Sequence, residues 1–282
     1  MRFELACLLI GGISALWGAD LTRARELYQR TEYKQVLSML QQTPQHPDML
    51  LLAGKSAFML GDFKKSTELL ERASTIDSGK SEYFHWLGKA LGRRAETASF
   101  LTAPTLAVEC RKAFERAVQL NPSNVEALND LFEYYLEAPG FLGGGLDKAE
   151  ALAKRIAPLN TAEHHFALAK LAEKRKDTKT AEQEYRKPVQ ADPGEAGRLI
   201  DLARFLARHG RLPESDRLFQ DAQRLAPGAA NVLFARASVL VETKRDPREA
   251  RRLLELYLKT PLTPDDPPRD EARKMLAKLG GA

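Results

Sequence analysis

The chain has 282 residues, of which 44% are hydrophobic, 29% charged and 7% aromatic, too apolar for a disordered segment and long enough to bury a sizeable core. The 43 Lys and Arg stand against 38 Asp and Glu, and this net charge of +5 is an ordinary solvated surface that gives no reason to expect nucleic acid as a partner. The two cysteines, Cys7 and Cys110, exclude a disulfide framework and a four-cysteine zinc site.

Met1–Arg2 supplies a short positive start, and Leu5 to Ala19 runs without a charge up to Asp20. Such a run spans about 22 Å as a helix, short of the roughly 30 Å hydrocarbon core of a bilayer. With small residues Gly18 and Ala19 closing it, residues 1–19 have the layout of a secretory signal peptide, although Glu4 and Trp17 depart from it. The alternatives are a buried first helix or an uncleaved membrane anchor. Export predicts a periplasmic or extracellular protein, as in a bacterial envelope, with Cys110 its only remaining cysteine. No other stretch is apolar for long enough to span, so the mature chain is expected to be soluble.

Beyond the leader a 34-residue period dominates. Ala162–Glu195 and Ala196–Ala229 align without a gap. Each carries an apolar stripe, a small residue at the eighth position and a turn signal near the fifteenth (Lys176–Asp177, His209–Gly210). A second stripe then ends in Asp192–Pro193 or Ala226–Pro227. The chain thus resembles tetratricopeptide repeat (TPR) proteins, arrays of helix-turn-helix units with this period. Ala203, Ser215, Phe219, Ala222 and Pro227 fill the places that family prefers, and Ala169, Ala181, Tyr185 and Pro193 fill all but one in the preceding unit, where Pro188 stands for alanine.

In chain order the resemblance gives a short copy over 20–46 (Tyr33, Val36, Leu40) and one over 47–80 (Gly54, Gly61–Asp62–Phe63, Leu70, Ala73). The copy over 81–124 runs from Leu87–Gly88 to Phe114, Ala117 and Pro122 with about ten extra residues between, and that over 125–161 (Leu131, Tyr135, Ala149, Ala153) also has a long turn. After 162–195 and 196–229 a last copy covers 230–264 (Ala237, Ala250, Leu254). Asp266–Leu279, with Ala272, Leu276 and Leu279 on one face, predicts a capping helix. The implied fold is an all-α TPR-type solenoid over 20–282, a right-handed superhelix of about seven repeats whose neighbours share one core. Pro188 predicts a kink or an early stop in its helix.

The resemblance implies that the first helix of each pair lines an inner groove open to a protein or peptide partner. Its lining is His85, Lys89 and Arg93; then Asn129, Glu133 and Glu137; then Phe166, Lys170 and Lys174; then Ile200, Arg204 and Arg208. One-turn spacing puts each basic pair on a common face, suited to an extended acidic peptide with Phe166 and Ile200 as apolar contacts; the plain alternative is a solvated face. The carboxylate-gripping subset of the family is not matched: Leu51, Lys55 and His85–Trp86 stand at those places.

Two turn insertions are the least family-like parts. Ala95–Ala107 holds Phe100, Leu101 and Pro104, and Ala138–Leu146 holds Phe141 and Leu142 beside Gly143–Gly145. These loops either pack together or form a lip over the groove, and the glycines ahead of a helix suggest an anion-binding nest. No Lys–Ser/Thr follows them, so they are not a nucleotide phosphate loop. His164 and His165 are adjacent on a predicted helix and diverge; His85, Glu82 and Glu109 lack ligand spacing, and Cys110 reads as a buried packing thiol. No catalytic, metal or cofactor site is expected.

Charge is uneven: residues 125–161 carry six acidic and three basic side chains, residues 196–260 thirteen basic and eight acidic. That asymmetry suggests self-association, an acidic partner for the C-terminal half, or an anionic polymer or lipid surface there. The sequence therefore predicts a non-catalytic exported scaffold that binds protein in its groove. An envelope assembly or transport accessory is the alternative, and an enzyme built on the glycine-rich insertion the least supported.

Overall fold

A computed structural model describes residues 20–40 and 46–280. The expected leader over 1–19 lies outside them. Among the described residues there are helices and no strand. Residues 20–29 form α1. There follow α2 (Tyr33–Leu40), α3 (Pro47–Met59), α4 (Phe63–Ile76), α5 (Ser81–Thr97), α6 (Ala103–Leu120), α7 (Val125–Glu137) and, after a 3-10 turn at Gly140–Leu142, α8 (Leu146–Ile156). Next come α9 (Thr161–Lys174), α10 (Thr178–Ala191), α11 (Ala196–Arg208), α12 (Leu212–Leu225), α13 (Ala230–Glu242), α14 (Pro247–Lys259) and α15 (Arg269–Gly280). The chain divides into two compact units, one ending at Leu120 and one beginning at Asn121.

The hairpins are set by local chemistry. Thr31, Gly61, Lys176, Gly210 and Lys244 all have φ between 53° and 80°, at the same place after a first helix. The next amide reaches back to the end of that helix each time: Asp62 N–H to Ala57 O at 3.0 Å, and Asp177 to Ala172, Arg211 to Leu206 and Arg245 to Leu240 at 2.9 Å. This closure of a helix by a left-handed residue satisfies carbonyls that otherwise lack a partner. The second helix then starts on an acidic cap in several pairs: Asp62 accepts from Lys65 N–H, Asp177 from Thr180 N–H and Asp246 from Glu249 N–H.

In the first unit each helix packs on the next, and α3 also touches α5. Ala24, Leu27, Tyr28, Tyr33, Val36, Leu52 and Met59 form one buried cluster across α1, α2 and α3. In the second unit Tyr185 of α10 sits between Ala169 of α9 and Phe205 of α11, and Val189 and Leu218 belong both to that cluster and to the one that runs on into α13. Neighbouring pairs therefore share one hydrophobic layer, which is how a unit too thin to bury its own face is stabilised. The last exposed edge is covered by α15, whose Ala272, Met275, Leu276 and Leu279 pack against α13 and α14. This helix begins at Arg269, three residues later than expected. Asp266 is held in a turn by Thr263 N–H at 2.8 Å, and two prolines follow before the helix starts.

Pro188 does not stop α10, which runs on to Ala191 with Asp192 N–H donating to the Pro188 carbonyl at 2.9 Å. Proline lacks only its own amide bond, here to the carbonyl one turn earlier, so close to the helix end that little more is disrupted.

Candidate partner-binding face

In the first unit the first helices meet through an alternating stack of cations and rings. The ammonium of Lys55 on α3 lies 5.3 Å from the Tyr28 ring and 4.7 Å from that of Trp86 on α5, and pairs with Glu82 at 3.1 Å. Lys89 covers Trp86 as well, at 4.5 Å. Phe58 meets Trp86 edge-on at 5.5 Å and Phe63 at 5.3 Å. Arg93 lies 5.2 Å over Phe63 and pairs with Glu96 at 3.2 Å. Such contacts are worth about 0.5–2 kcal/mol each, more as water is excluded. Glu82, Trp86, Lys89 and Arg93 follow helical spacing and so share one face of α5.

His85 does not belong to that face. It is buried at 2% exposure with its ring 6.0 Å from Phe114. It follows the spacing of Gly88 and Gly92, which turn toward α6. Ile200, expected as an apolar contact for a ligand, is likewise buried in the core. Trp86, one residue beyond His85, is the aromatic that the face does present, and sequence reasoning missed it.

In the second unit the expected lining is largely self-neutralised. Glu163 on α9 accepts from Asn129 Nδ2 at 2.9 Å on one side and from Arg198 Nη2 at 2.7 Å on the other. Lys170 pairs with Glu133 at 3.6 Å and Lys174 with Glu137 at 2.7 Å. Arg208 reaches Glu173 at 2.9 and 3.1 Å, and the same carboxylate accepts the Tyr185 phenol at 2.8 Å. The partners lie 34 to 37 residues apart, except Tyr185, so the ladder couples each helix pair to the next. Burial and the Glu173 carboxylate push the Tyr185 phenol above its usual range. Burial also works against the charge on Arg208, but Glu173 outweighs it and holds the guanidinium firmly protonated.

One cation stands outside the pairing. Arg204 makes no ion pair among the described residues and is partly exposed. Asp201, one turn before it, is three-quarters buried, with Arg198 Nη1 at 3.4 Å. Burial pushes its carboxyl up to about 6 against the pull of Arg198 and Arg204, with Glu163 adding to the rise. Phe166 is half-buried, its ring 5.9 Å from Tyr185.

The two insertions differ in kind. Most of 95–107 is helix: α5 has 17 residues and α6 has 18, against 13 and 14 in α3 and α4, and only 98–102 form the turn. Phe100 and Leu101 at its tip are 84% and 74% exposed. In 138–146 the glycines make no anion nest, because their amides are already engaged. Gly143 N–H donates to Gly140 O at 2.9 Å, Gly144 to Pro139 at 3.2 Å and Gly145 to Tyr135 at 2.8 Å. Gly144 is required there, since a Cβ would fall 1.8 Å from the Ala138 carbonyl oxygen. Leu142 is half-buried with its carbonyl accepting the Tyr134 phenol at 3.0 Å, while Phe141 is 82% exposed. The tip phenylalanines thus lie open to solvent.

His164 and His165 diverge, their Nδ1 atoms 2.8 Å from the Ala153 carbonyl and 2.7 Å from Glu184 respectively. Cys110 is buried beside Gly92. Among the described residues no three His, Cys, Asp or Glu side chains are grouped to hold a metal ion, and no helix is long and apolar enough to cross a membrane.

A family model described as a tetratricopeptide repeat matches residues 200–267. By structure the chain is similar to a tetratricopeptide repeat protein from Parabacteroides merdae, at 11% identity and a TM-score of 0.61, over 94% of this chain and 99% of that one. It is also similar to a thermophilic TPR protein of Thermus thermophilus, at 20% identity and a TM-score of 0.55, over 67% of this chain and 98% of that one. No curated protein matches the sequence. With its helical pairs, its shared core and these likenesses, the chain is an all-α solenoid of the tetratricopeptide type.

Proposed function

We propose that this protein is a non-catalytic scaffold that holds protein partners on the face formed by its first helices, and that it works outside the cytoplasm. A solenoid of this type suggests protein–protein contact, and nothing in the family or the fold points to an enzyme. The observation that carries the reading is the Lys55–Trp86–Lys89 stack: Lys89 makes no ion pair among the described residues, so its charge stays available above an aromatic surface. Tryptophan is among the commonest anchors at protein interfaces, and the ammonium groups over it set the sign of what docks there. An acidic partner is directed to this face and to Arg204, because the other cations expected to line the second unit already have carboxylates. The apolar run before Asp20 supports export.

A photocrosslinker placed at Glu96, on the same face of α5 as Lys89, tests the face in living cells. One identified protein should be captured there, lost with Lys89→Glu, and absent with a crosslinker at Gln220 on α12. Equal capture from Gln220 would remove the reading. Mass spectrometry of the N-terminus in cell fractions tests export, and an intact Met1 start in the cytoplasm would rule it out.

A second reading, an accessory that engages an anionic polymer or lipid surface, has its own support in the last pair. Arg248 and Arg251 on α14 make no ion pair among the described residues, whereas Arg245 is held by Asp216 at 2.6 Å and Arg252 by Glu249 at 2.6 Å. The two arginines, with Pro247, Arg252, Leu279 and the single carboxylate Glu255, line a cleft of about 250 Å³. Binding to heparin or anionic vesicles that collapses with added salt supports this reading, since exposed charges are screened over about 8 Å at 0.15 M. Binding that is unchanged by Arg248→Ala with Arg251→Ala excludes it.

A further inference from the structure

The extra turns of α5 and α6 carry their hairpin past the neighbouring one. Four additional residues in α5 correspond to about 6 Å of helix, and the overhang borders an open cavity of about 630 Å³ beside the α3–α4 turn. Phe63 and Leu106 supply apolar wall, and Leu101 stands at the mouth with 74% of its surface exposed. Lys64 and Arg94 line the same cavity and make no ion pair among the described residues. The carboxylate there, Asp62, is occupied in capping α4 through Lys65 N–H at 3.1 Å. Thr105 adds a hydroxyl with no hydrogen bond among the described residues.

These features have no role in the core. Large apolar side chains held out at a tip next to a preformed cavity raise the free energy of the free protein in water and lower it on docking. The cavity volume suits one bulky side chain with its flanking backbone, within the roughly 300–1,000 Å³ of known ligand pockets. Lys64 and Arg94 outnumber the one lining carboxylate, Asp62, and although Arg94 also feels Glu71, neither is held in an ion pair, so an acidic neighbour of that side chain is favoured over a basic one. The site adjoins the Lys55–Trp86–Lys89 face, with Phe63 common to both, but uses none of those three residues. It lies at the turn end of the hairpins, where Arg93 points to the ring of Phe63 while Arg94 lines the cavity.

We propose that the cavity beside the α5–α6 overhang seats a large apolar side chain, Phe or Leu, of a partner protein in a segment whose neighbouring residues are acidic. The inference rests on the scaffold reading above and adds a second contact site to it.

The probes are short fluorescein-labelled peptides with a central Phe flanked by Glu, a central Phe flanked by Lys, and a central Ser flanked by Glu. They are titrated by anisotropy against the full chain. The Phe/Glu peptide should bind at least about tenfold better than either control, and lose about tenfold with Leu101→Ser or with Lys64→Glu plus Arg94→Glu. Both variants change exposed or rim positions, and circular dichroism checks that they fold. Lys89→Glu should leave that affinity within about twofold. Equal binding of the three peptides, no binding of any, or indifference to the cavity variants overturns the proposal. Binding that only Lys89→Glu removes overturns the cavity while leaving the scaffold reading intact. A dimer that Leu101→Ser dissociates in sedimentation, or adsorption to anionic vesicles that Leu101→Ser abolishes, assigns the cavity to a second copy or to lipid and also overturns it.

Discussion

Gly88 and Phe114 meet so closely that a Cβ at 88 would lie 2.5 Å from both Cδ1 and Cε1 of the ring. Gly54 and Leu70 repeat the relationship one pair earlier, at 2.7 Å to Cγ. A missing side chain on the first helix is thus the space that the large residue of the second helix fills. Gly88→Ala should therefore destabilise despite alanine's better helix propensity. Overpacking costs about 1–3 kcal/mol and the propensity gain returns about 1. A loss of up to about 2 kcal/mol is expected by urea denaturation, with Phe114→Leu in the same chain recovering at least half of it. Simple addition of the two single effects would refute the contact.

Asp201 gives the second unit a pH dependence of definite sign. Its carboxyl titrates near 6 in the folded chain against 3.8 when unperturbed. Between those values the folded state holds more protons than the unfolded one, so stability falls as pH rises from about 4 to about 6 and stays lower above that. The groups facing it are Arg198 and Arg204 on its own helix, Glu163 on α9 and Tyr185 on α10. Asp201→Asn should flatten that slope and raise stability at pH 7 by about 1–3 kcal/mol, read from denaturation curves at pH 4.5, 6 and 7.5. A variant that is less stable at pH 7 would show instead that the ionised pair with Arg198 is favourable.

The sequence shows the repeats clearly because their signals are local: a turn residue at the fifteenth place, in several pairs an acidic cap one or two residues on, and small against large across a hairpin. The site was less visible for reasons of geometry. His85 and Ile200 occupy the place on their helices that turns inward, and the aromatic on the open face is the next residue, Trp86. The charge ladder is invisible when helices are read one at a time, since Glu137 and Lys174 are 37 residues apart and become neighbours only by stacking. Pro104 read as a loop residue, yet it stands in the first turn of α6, where its missing amide has no partner to lose. The glycine run suggested a nest because sequence does not tell where its amides point.

The Glu173 carboxylate joins Tyr185 and Arg208, and its removal should cost more than that of either partner. Glu173→Ala leaves a buried phenol without its acceptor and is expected to destabilise by about 1–3 kcal/mol, against about 0.5–1.5 for Tyr185→Phe. In the double variant the phenol is no longer orphaned, so the two losses should fall short of their sum by at least about 0.5 kcal/mol. Additive losses would mean the bond is not formed in solution.

Lys176 and Gly210 occupy equivalent turns with φ of 61° and 75°. A lysine in the left-handed region carries a steric cost of about 1–2 kcal/mol that glycine avoids, while glycine loses roughly 0.5–1 kcal/mol in chain entropy on folding. Lys176→Gly should on balance stabilise the chain by about 0.5–1 kcal/mol, and Lys244→Gly, at φ of 53°, by a similar amount. The reverse change, Gly210→Lys, should destabilise by the same increment, because the turn amide of Arg211 still bonds to Leu206 and only the dihedral cost is altered. Thermal or urea midpoints of the three variants decide the matter. A loss on Lys176→Gly with a gain on Gly210→Lys would show that the side chains, and not the backbone conformation, set the preference at these turns.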